Sequence, residues 1–436
     1  MKSIIYILLS VALFVLTAVP AEARIYIRID EISEKRFPIA ITELVNTGDK
    51  RDKHNWSRDI PKIVKNDLSM TGLFEFVPPD LYPPEEKDPI GIAAVDFSPW
   101  QLLGVQGLVK GNFSYTGDGK VKAALYLYDP LVAERLVGQE YTADPKDLRM
   151  VAHHFADQIM ETLTGYPGIF RTRLTYVSNT SGHKEIYTMG VDGKSVSRLT
   201  NDRFINISPA WSPDGSKIVF TSFTPEKDAE IKLISASGSN AHYVTHNKSI
   251  NLSPTWTVGG KSLTVAMGNG ETNLFNISLK GKIIRRLTEF WGIDIAPSWS
   301  PDGSAFTFSS ERAGGLHVFR ANADGSGIQR LTFVGYQNDN PAWSPDGAKI
   351  VFQGRDQGMW DLFIMNSDGS ILQRLTSSAG NNEFPAWAPN SQYIAFSSSR
   401  SGPYQIYIMT KTGEYQVRVR SAGSSTQPDW GPLPKR

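Results

Sequence analysis

The second half of the chain alternates short apolar segments with polar turns that contain glycine. Six tryptophans recur through it at spacings of 45, 43, 44, 44 and 43 residues: Trp211, Trp256, Trp299, Trp343, Trp387 and Trp430. A period near 44 residues, with strand-like segments in each repeat, is typical of a β-propeller in which each repeat forms one four-stranded blade. The pattern therefore predicts an all-β propeller over residues 169–436.

Each repeat follows the same order of segments. A Pro-x-Trp strand leads into a Ser-Pro-Asp-Gly turn, as at Pro209–Gly215, and the fourth strand ends in Arg-Leu-Thr, starting at Arg198, Arg286, Arg330 and Arg374. Asp-Gly supplies the positive φ that a tight hairpin needs. Two departures stand out, because Thr257–Gly260 replaces one turn and Tyr243–Thr245 replaces one strand ending. A tryptophan that occurs once in each blade is expected to form the core between blades rather than a ligand cage.

The count of strands predicts how the propeller closes. Before Trp211 come three strands, Leu174–Val177, Glu185–Met189 and Val196–Thr200, without a first strand, and one unpaired first strand remains at Trp430. Pairing that last strand with the three early ones completes a sixth blade and leaves the ring without an open end. We therefore expect a six-bladed propeller closed by the C-terminal strand, and removal of the last ten residues should destabilise the whole disc.

Residues 24–165 lack the 44-residue period and predict a separate α/β or α+β domain, joined to the propeller by a hinge at 166–168. Asn55 is the expected cap of a helix that extends to about Met70, and Pro145 opens a second helix to about Leu163. The turn Gly117-Asp118-Gly119 indicates a hairpin between two strands. An interrupted antiparallel sheet with helices on one side is the expected arrangement.

The first 23 residues have the pattern of a secretory signal peptide. Lys2 is followed by an uncharged, mostly apolar run from Ile4 to Val19 and by the small-x-small sequence Ala21-Glu22-Ala23. Cleavage there makes Arg24 the mature N-terminus and predicts a soluble periplasmic protein. An uncleaved membrane anchor is the alternative, since the run approaches membrane-spanning length. The chain contains no cysteine, which excludes an acylated lipoprotein.

Composition and motifs argue against several classes of function. The formal net charge is only +1, whereas nucleic-acid binders usually carry a strong basic excess. The sequence shows no G-x-S-x-G elbow, no phosphate-binding loop and no metal spacing among its seven histidines. We therefore expect no catalytic residues, no cofactor and no metal. Two alternatives stay open: an exported propeller enzyme, such as a polysaccharide lyase or peptidase, and a glycan-sensing module.

Polar residues recur where each innermost strand of the propeller begins. Three residues before the proline of each repeat lie Asn206, Asn251, Asp294, Asn338, Asn382 and Ser425, and two before it lie Ile207, Leu252, Ile295, Asp339, Glu383 and Thr426. These positions are expected to converge on one mouth of the central channel. Two interpretations stay open, namely that the ring binds an irregular protein loop or that its side chains only cap tight loops through local hydrogen bonds.

The order of segments resembles the TolB family of periplasmic proteins from the Tol–Pal envelope system. The resemblance covers the mature chain and includes Arg24–Asp30, then Phe37-Pro38-Ile39-Ala40, and the stretch Phe97–Lys110 with Trp100 and Gly104. The propeller repeat alone is less specific, because similar repeats occur in propellers of prolyl-oligopeptidase-like and tricorn-like proteases.

The resemblance implies a non-enzymatic scaffold that supports outer-membrane integrity and constriction during cell division. It implies that the peptidoglycan-associated lipoprotein Pal binds at the channel mouth, and that TolA binds the mature N-terminus. Carried over by position, the Pal-facing residues are Asn206, Ile207, Ile250, Asn251, Asp294, Ile295, Asn338, Asp339, Asn382 and Glu383, and the TolA-facing residues are Arg24, Ile25, Tyr26, Ile27, Arg28, Ile29 and Asp30. The implied protein is a monomer that meets the membrane only through its partners.

Overall fold

The computed structural model describes residues 27, 36–84, 95–223, 228–247, 249–356, 358–419 and 423–435. The predicted signal peptide lies outside the described residues, and so does the segment Arg24–Asp30 except for Ile27. Within the described ranges, no helix combines the length and apolar character needed to cross a membrane.

The N-terminal region forms one mixed sheet with helices. Its elements are β1 (Phe37–Ile41), β2 (Val45–Asn46), α1 (Trp56–Ser69), β3 (Phe74–Phe76), α2 (Ser98–Leu102), β4 (Gly107–Tyr115), β5 (Val121–Asp129), β6 (Glu134–Ala143) and α3 (Leu148–Thr164). The strand order is β3-β1-β4-β5-β6, and β2 pairs with β4. The prediction of an antiparallel sheet is wrong for one half of the sheet, because β1 pairs in parallel with both β3 and β4. A helical crossover through α1 joins β1 to β3, and such connections produce parallel pairs.

Helices cover both faces of this sheet rather than one. Neighbouring residues of β1 show the division: Ile39 packs into the core with α1 and α3, whereas Ala40 packs with Trp100 of α2 on the opposite face. The start of α1 also differs from the prediction. Asn55 is in the left-handed region without a capping side-chain bond, and the Asp52 carboxylate instead accepts the N–H groups of Trp56 and Ser57, both at 3.0 Å.

The propeller consists of six four-stranded antiparallel sheets across the described ranges. Its strands are β7 (Arg173–Ser178), β8 (Glu185–Gly190), β9 (Ser197–Arg198), β10 (Ile205–Trp211), β11 (Lys217–Phe223), β12 (Ala229–Ser235), β13 (His242–Tyr243), β14 (Ile250–Trp256), β15 (Ser262–Gly268), β16 (Asn273–Ser278), β17 (Ile283–Arg286), β18 (Asp294–Trp299), β19 (Ala305–Ser310), β20 (His317–Asn322), β21 (Gln329–Arg330), β22 (Gln337–Trp343), β23 (Lys349–Arg355), β24 (Trp360–Asn366), β25 (Gln373–Arg374), β26 (Asn382–Trp387), β27 (Tyr393–Ser398), β28 (Gln405–Thr410), β29 (Gln416–Arg418) and β30 (Ser425–Trp430). Blades 1 to 5 are β10–β13, β14–β17, β18–β21, β22–β25 and β26–β29, and blade 6 is β30 with β7–β9.

The C-terminal strand closes the ring as predicted. β30 pairs antiparallel with β7, so that Trp430 lies opposite Leu174 and Thr426 lies opposite Val177. The fold class read from the sequence, a mixed N-terminal region followed by a six-bladed propeller, is therefore confirmed. The hinge predicted at 166–168 lies between the end of α3 at Thr164 and the start of β7 at Arg173.

The repeated tryptophans lie between blades. Trp256 packs with Val219 and Ile231 of the preceding blade, and its indole N–H donates to the carbonyl of Ala210 at 3.1 Å. The Trp387 indole donates in the same way to the carbonyl of Ala342 at 3.0 Å. These contacts confirm that the tryptophans form the core between blades.

The two faces of the propeller differ in what they carry. Because the strands of a blade run antiparallel, the turns between strands 1 and 2 and between strands 3 and 4 share one face, which we call the turn face. It contacts the N-terminal region: the Asn390 amide donates to the carbonyl of Pro167 at 2.8 Å, and the Tyr415 hydroxyl donates to the carbonyl of Ser69 at 2.8 Å. The starts of the innermost strands and the loops between strands 2 and 3 lie on the opposite face, which we call the mouth face.

Candidate protein-binding site on the mouth face

The polar ring predicted from the sequence is turned into the blades. The side chains of Asn206, Asn251, Asp294, Asn338 and Asn382 are buried, those of Ile207, Ile295, Asp339 and Glu383 are partly exposed, and that of Ile250 is exposed. The five buried side chains form local hydrogen bonds, which is one of the two roles that the sequence allowed for this ring. Contact of these ten residues with a partner stays a prediction, and the partly exposed members are the ones a partner can reach by side chain.

Each buried asparagine belongs to a polar cluster that joins two blades. Around Asp361 of blade 4, Thr376 donates its hydroxyl at 2.7 Å, Asn382 of blade 5 donates its amide at 3.1 Å, and Arg374 forms an ion pair. The Thr376 hydroxyl also accepts the backbone N–H of Leu362 at 2.9 Å. We call this arrangement of threonine, third-strand polar residue and next-blade asparagine the polar clip. In blades 4 and 6 the threonine and arginine of Arg-Leu-Thr hold the third-strand carboxylate, Asp361 or Glu185, that receives the asparagine of the next blade.

The polar clip recurs with substitutions in other blades. The threonine hydroxyl accepts a third-strand N–H at 2.9–3.0 Å in the pairs Thr200–Ile186, Thr245–Ile231, Thr288–Leu274 and Thr332–Val318. In blade 2 Asn273 takes the place of the acid, and the charge lies in the next blade, where Asp294 receives two bonds from Arg312 at 2.8 and 3.0 Å. The buried Asp294 charge is therefore paired by an arginine of its own blade.

Blade 1 lacks the fourth-strand arginine of the other repeats. Tyr243 stands where other repeats have Arg, and the Lys232 ammonium occupies the neighbouring space, 4.6 Å from the Tyr243 ring centre and 2.6 Å from the Asp202 carboxylate. Phe204 flanks the same ammonium at 5.6 Å. Lys232 does not take over the role of the arginine, because it pairs with Asp202, whereas the third-strand carboxylate of blade 1, Glu230, accepts hydrogen bonds from the Thr245 hydroxyl and the Asn251 amide.

Exposed apolar side chains form a crescent around the channel mouth. They come from the loops that lead into the innermost strands of blades 1 to 4 and from the strand 2–3 loop of blade 4: Ile205, Ile250, Trp291, Phe333, Val334, Tyr336 and Met359. We call this set the mouth crescent. Trp291 is 83% exposed and Phe333 is 73% exposed. Large apolar side chains that several loops of one face expose to solvent are candidates for a partner-binding surface.

Arginines flank the mouth crescent. The Arg330 guanidinium lies 5.1 Å from the Phe333 ring centre, and that of Arg355 lies 5.8 Å from the ring centre of Tyr336. Aromatic residues together with arginine are the composition enriched at the centres of protein–protein interfaces. Only Ile250 of the mouth crescent was among the predicted site residues. The available signal was that these loops, unlike the strands, differ in every repeat: blade 5 has Ser377, Ser378 and Ala379 where blade 4 has Phe333 and Val334.

A cavity of about 280 Å³ lies in the central channel. Its wall includes the proline of each innermost strand and the left-handed residue before it: Ser208, Ser253, Ala296, Asn340, Phe384 and Gln427, with φ between 48° and 55°. Asp429 also lines it, and its carboxylate accepts the N–H of Trp211 at 2.7 Å. Burial raises the pKa of Asp429 to about 7.

Two further carboxyl groups lie beside the channel mouth. Burial raises the pKa of Asp339, and burial together with the neighbouring Asp339 charge raises that of Glu383, against a hydrogen bond from the Tyr404 hydroxyl. Across the described residues, no group of three or more His, Asp or Glu side chains is placed to hold a metal ion.

One residue of the predicted N-terminal binding segment is described. The Ile27 N–H donates to the carbonyl of Leu163 near the end of α3 at 2.7 Å, and its partly buried side chain packs against the hydrophobic core. The other six residues of Arg24–Asp30 lie outside the described residues. Ile27 shows where this segment meets the N-terminal region.

Comparisons with known proteins agree on one family. The TolB amino-terminal domain family matches residues 25–136, and the TolB beta propeller domain family matches residues 160–434. A TolB homologue from Chlorobium luteolum is 31% identical over 306 residues, which is 70% of this chain and 69% of the relative. A Tol-Pal system protein TolB from Geobacter sulfurreducens is 36% identical over 212 residues, or 48% of each chain.

A solved structure is similar over most of the chain. The crystal structure of TolB from Acinetobacter baumannii superposes with a TM-score of 0.81 at 26% sequence identity. The superposition covers 92% of this chain and 98% of that one. The likeness therefore includes both the N-terminal region and the propeller.

Proposed function

This chain belongs to the TolB family, and we propose that it is a non-enzymatic periplasmic scaffold that binds a peptidoglycan-associated lipoprotein on its mouth face. A role in the Tol–Pal system accords with the Geobacter sulfurreducens relative, which carries the name Tol-Pal system protein TolB. We propose further that this scaffold, through the lipoprotein, supports constriction of the outer membrane during division.

The mouth crescent is the observation that carries this proposal. It offers large exposed rings beside arginines, and it lies on the face opposite the N-terminal region. A protein partner that covers Trp291 and Phe333 removes apolar area from water, which is the main favourable term in such associations. The adjoining partly exposed residues Asp339 and Glu383 supply polar contacts at the inner edge.

The lining of the central channel supports protein binding better than it supports catalysis. Proline and small side chains make up most of its wall, and a glycan or peptide enzyme would need positioned acid, base or nucleophilic groups there. The exported enzyme and the glycan-sensing module considered from the sequence therefore receive no specific support from the described residues. A protein-binding mouth is the better fit.

The second binding segment in the proposal is Arg24–Asp30, which engages TolA. Its one described member, Ile27, is held by a backbone hydrogen bond to Leu163 and by partial burial. The alternation of apolar and polar residues in Arg24–Asp30 is the pattern of a segment that can add as a strand to a partner. Deletion of residues 24–30 should abolish TolA binding and leave lipoprotein binding in place.

The proposal is tested by affinity capture from the protein's own envelope extract. The bait is the chain from Arg24 to Arg436, compared with its Trp291→Ala/Phe333→Ala variant. We expect a peptidoglycan-associated lipoprotein, identified by mass spectrometry, with the natural bait and its loss with the variant. The matched control is Ile283→Ala/Ile284→Ala, which removes two exposed apolar side chains from the outer strand of blade 2. Equal recovery with all three baits would refute the mouth crescent as the site, and absence of the lipoprotein from all three would refute the partner.

A further inference from the structure

Helix α3 carries a polar stripe through an otherwise apolar interior. Arg149, His153 and Asp157 follow one another at four-residue spacing and therefore lie on one side of the helix. His153 and Asp157 are buried. This side of α3 meets helix α1 and blade 6 of the propeller. Buried polar groups persist when they are paired, and these pairs connect the two parts of the molecule.

His153 lies between two carboxylates from different parts of the chain. Its Nδ1 is 2.6 Å from Oδ2 of Asp67 on α1, and its Nε2 is 3.7 Å from Oδ2 of Asp192 in the β8–β9 turn. Arg149 also forms an ion pair with Asp192. One imidazole therefore links the N-terminal region to the propeller.

Several charged groups surround the His153 imidazole and act on its protonation. Burial raises the pKa of Asp67 to about 6, although the hydrogen bond and charge of His153 act in the opposite direction. Oδ1 of Asp67 is buried without a hydrogen-bond partner. Asp157, four residues along α3, is held by the Arg171 guanidinium at 2.7 Å and by the N–H of Phe170 at 2.8 Å. Asp67, Asp192, Arg149, Asp157 and Arg171 are thus the charged groups that act on the imidazole.

The protonation state of the imidazole determines its bond to the propeller. With both ring nitrogens protonated, the positive Nε2–H side of His153 faces the Asp192 carboxylate, and Nδ1 faces Asp67, whose pKa of about 6 lets it carry a proton itself in mild acid. When one proton is lost, Nδ1–H can still donate to Asp67, and the lone pair of Nε2 then faces the Asp192 carboxylate. Imidazole is the side chain that makes this change near neutral pH.

We propose that His153 is a proton-dependent latch that holds the Gly190–Lys194 turn of blade 6 to the N-terminal region. The latch is closed when the imidazole carries two protons, and it loosens as the pH rises and one proton leaves. Arg149 keeps its charge throughout, so the turn loosens without detaching. The latch acts on this turn beside the continuous hydrophobic core that joins α3 to blades 5 and 6.

Hydrogen exchange of the turn amides tests the latch. The Gly193 N–H donates to the carbonyl of Gly190 at 2.9 Å, and the Lys194 N–H donates to the Asp192 carboxylate at 3.0 Å. The corresponding turn of blade 3 is the internal control: Gly325 N–H donates to Asn322 at 2.8 Å and Ser326 N–H to Asp324 at 2.9 Å. Taking the ratio of the two turns cancels the intrinsic dependence of exchange on pH.

We expect protection of the blade 6 turn, relative to the blade 3 turn, to fall about fivefold between about pH 5 and pH 8. In His153→Gln, which keeps a hydrogen-bonding side chain without a titratable charge, the ratio should not change with pH. In Arg149→Gln the turn should lose protection at every pH and keep its pH dependence. A flat ratio in the natural protein, or the same slope in His153→Gln, would overturn the proposal.

A second readout covers the case in which His153→Gln does not fold. The ring resonances of His153 are followed against pH by NMR in the natural protein and in Asp192→Asn, whose amide oxygen still accepts the Lys194 N–H. If Asp192 stabilises the charged imidazole, His153 should lose its proton at a lower pH in Asp192→Asn. Identical titration curves would show that Asp192 does not hold the proton and would contradict the latch.

Discussion

The turn face and the mouth face of the propeller are built by the same repeat, yet they hold different kinds of residue. On the turn face the same chemistry recurs: hydrogen bonds from serine hydroxyl and backbone groups hold the pKa of Asp214 and Asp302 at about 2. On the mouth face the loops differ from blade to blade, and Trp291 and Phe333 are exposed. The residues that the fold needs therefore recur in most blades, whereas the exposed residues of the mouth-face loops differ from blade to blade.

The mouth face shows the same division within a few residues. Asn382 is buried in the polar clip, and the following residue, Glu383, is partly exposed. A residue that recurs at the channel mouth thus holds the blades together, and its neighbour is open to contact. The predictions below separate these two roles.

The largest expected effect concerns ring closure, on which both faces depend. Deletion of residues 425–436 removes β30, and with it the partner of β7 and the buried Trp430 indole that donates to Thr172 at 2.8 Å. We expect loss of the cooperative thermal unfolding transition followed by circular dichroism. Deletion of residues 433–436 alone, beyond the strand, should leave the transition in place. A cooperative transition without β30 would contradict the closed ring.

Alanine substitution should lower the free energy of unfolding when it is made in the polar clip and should leave it nearly unchanged when it is made in the mouth crescent. Asn382→Ala removes bonds to Asp361, Ser398 and Arg400, and the buried groups left unpaired should lower the free energy of unfolding by about 2 kcal/mol. Trp291→Ala should change it by no more than about 0.5 kcal/mol, because the side chain is exposed. Urea unfolding of both variants measures the difference. Similar losses in both would remove the distinction between the two sets.

Channel carboxyl groups should make the propeller more stable in mild acid. Because the pKa of Asp429 is about 7 in the folded protein and its ordinary value is 3.8, the folded protein binds a proton there that the unfolded chain releases. This stabilisation is complete below about pH 4 and is lost as the pH rises through about 7. Asp429→Asn should therefore reduce the difference in unfolding free energy between about pH 5 and pH 8. An undiminished difference would contradict a buried carboxyl at this position.

The smallest expected effect lies on the turn face. Ile371 has a φ of 52°, which is strained for a β-branched residue, where the corresponding turn of blade 3 has Gly327 with a φ of 65°. Replacing Ile371 by glycine should raise the free energy of unfolding by about 0.5–1 kcal/mol, since glycine adopts this region freely. The reverse change, Gly327→Ile, should lower it. If both changes destabilise the protein, packing rather than the backbone decides the outcome.

The propeller architecture could be predicted from the sequence because its repeats can be aligned with one another. Tryptophan spacing and the unpaired first strand at Trp430 were enough to predict the six blades and their closure. The N-terminal region has no such internal comparison. There, the parallel pairing of β1 depends on a long crossover through α1, and capping by Asp52 depends on loop geometry that spacing does not show.

The candidate site was less predictable because position in a repeat does not tell which way a side chain points. Asn206 and Asn251 lie at the start of innermost strands, but their amides point toward Glu185 and Glu230 of the preceding blades. Trp291 and Phe333 were missed because an aromatic residue in a loop is compatible with either burial or exposure. Only the packing of neighbouring blades distinguishes these cases.

The most direct test of the account is the affinity of the purified soluble domain of the peptidoglycan-associated lipoprotein for three forms of this protein. Calorimetric titration of the natural chain, Trp291→Ala/Phe333→Ala and Asn382→Ala is made under conditions where all three are folded. We predict that the mouth-crescent variant weakens binding by about thirtyfold or more, because interface aromatics of this kind often contribute about 2 kcal/mol or more each. Asn382→Ala should bind within about threefold of the natural chain. Unchanged binding by the mouth-crescent variant, together with a large loss in folded Asn382→Ala, would contradict the assignment of binding to the mouth crescent and of blade assembly to the polar clip.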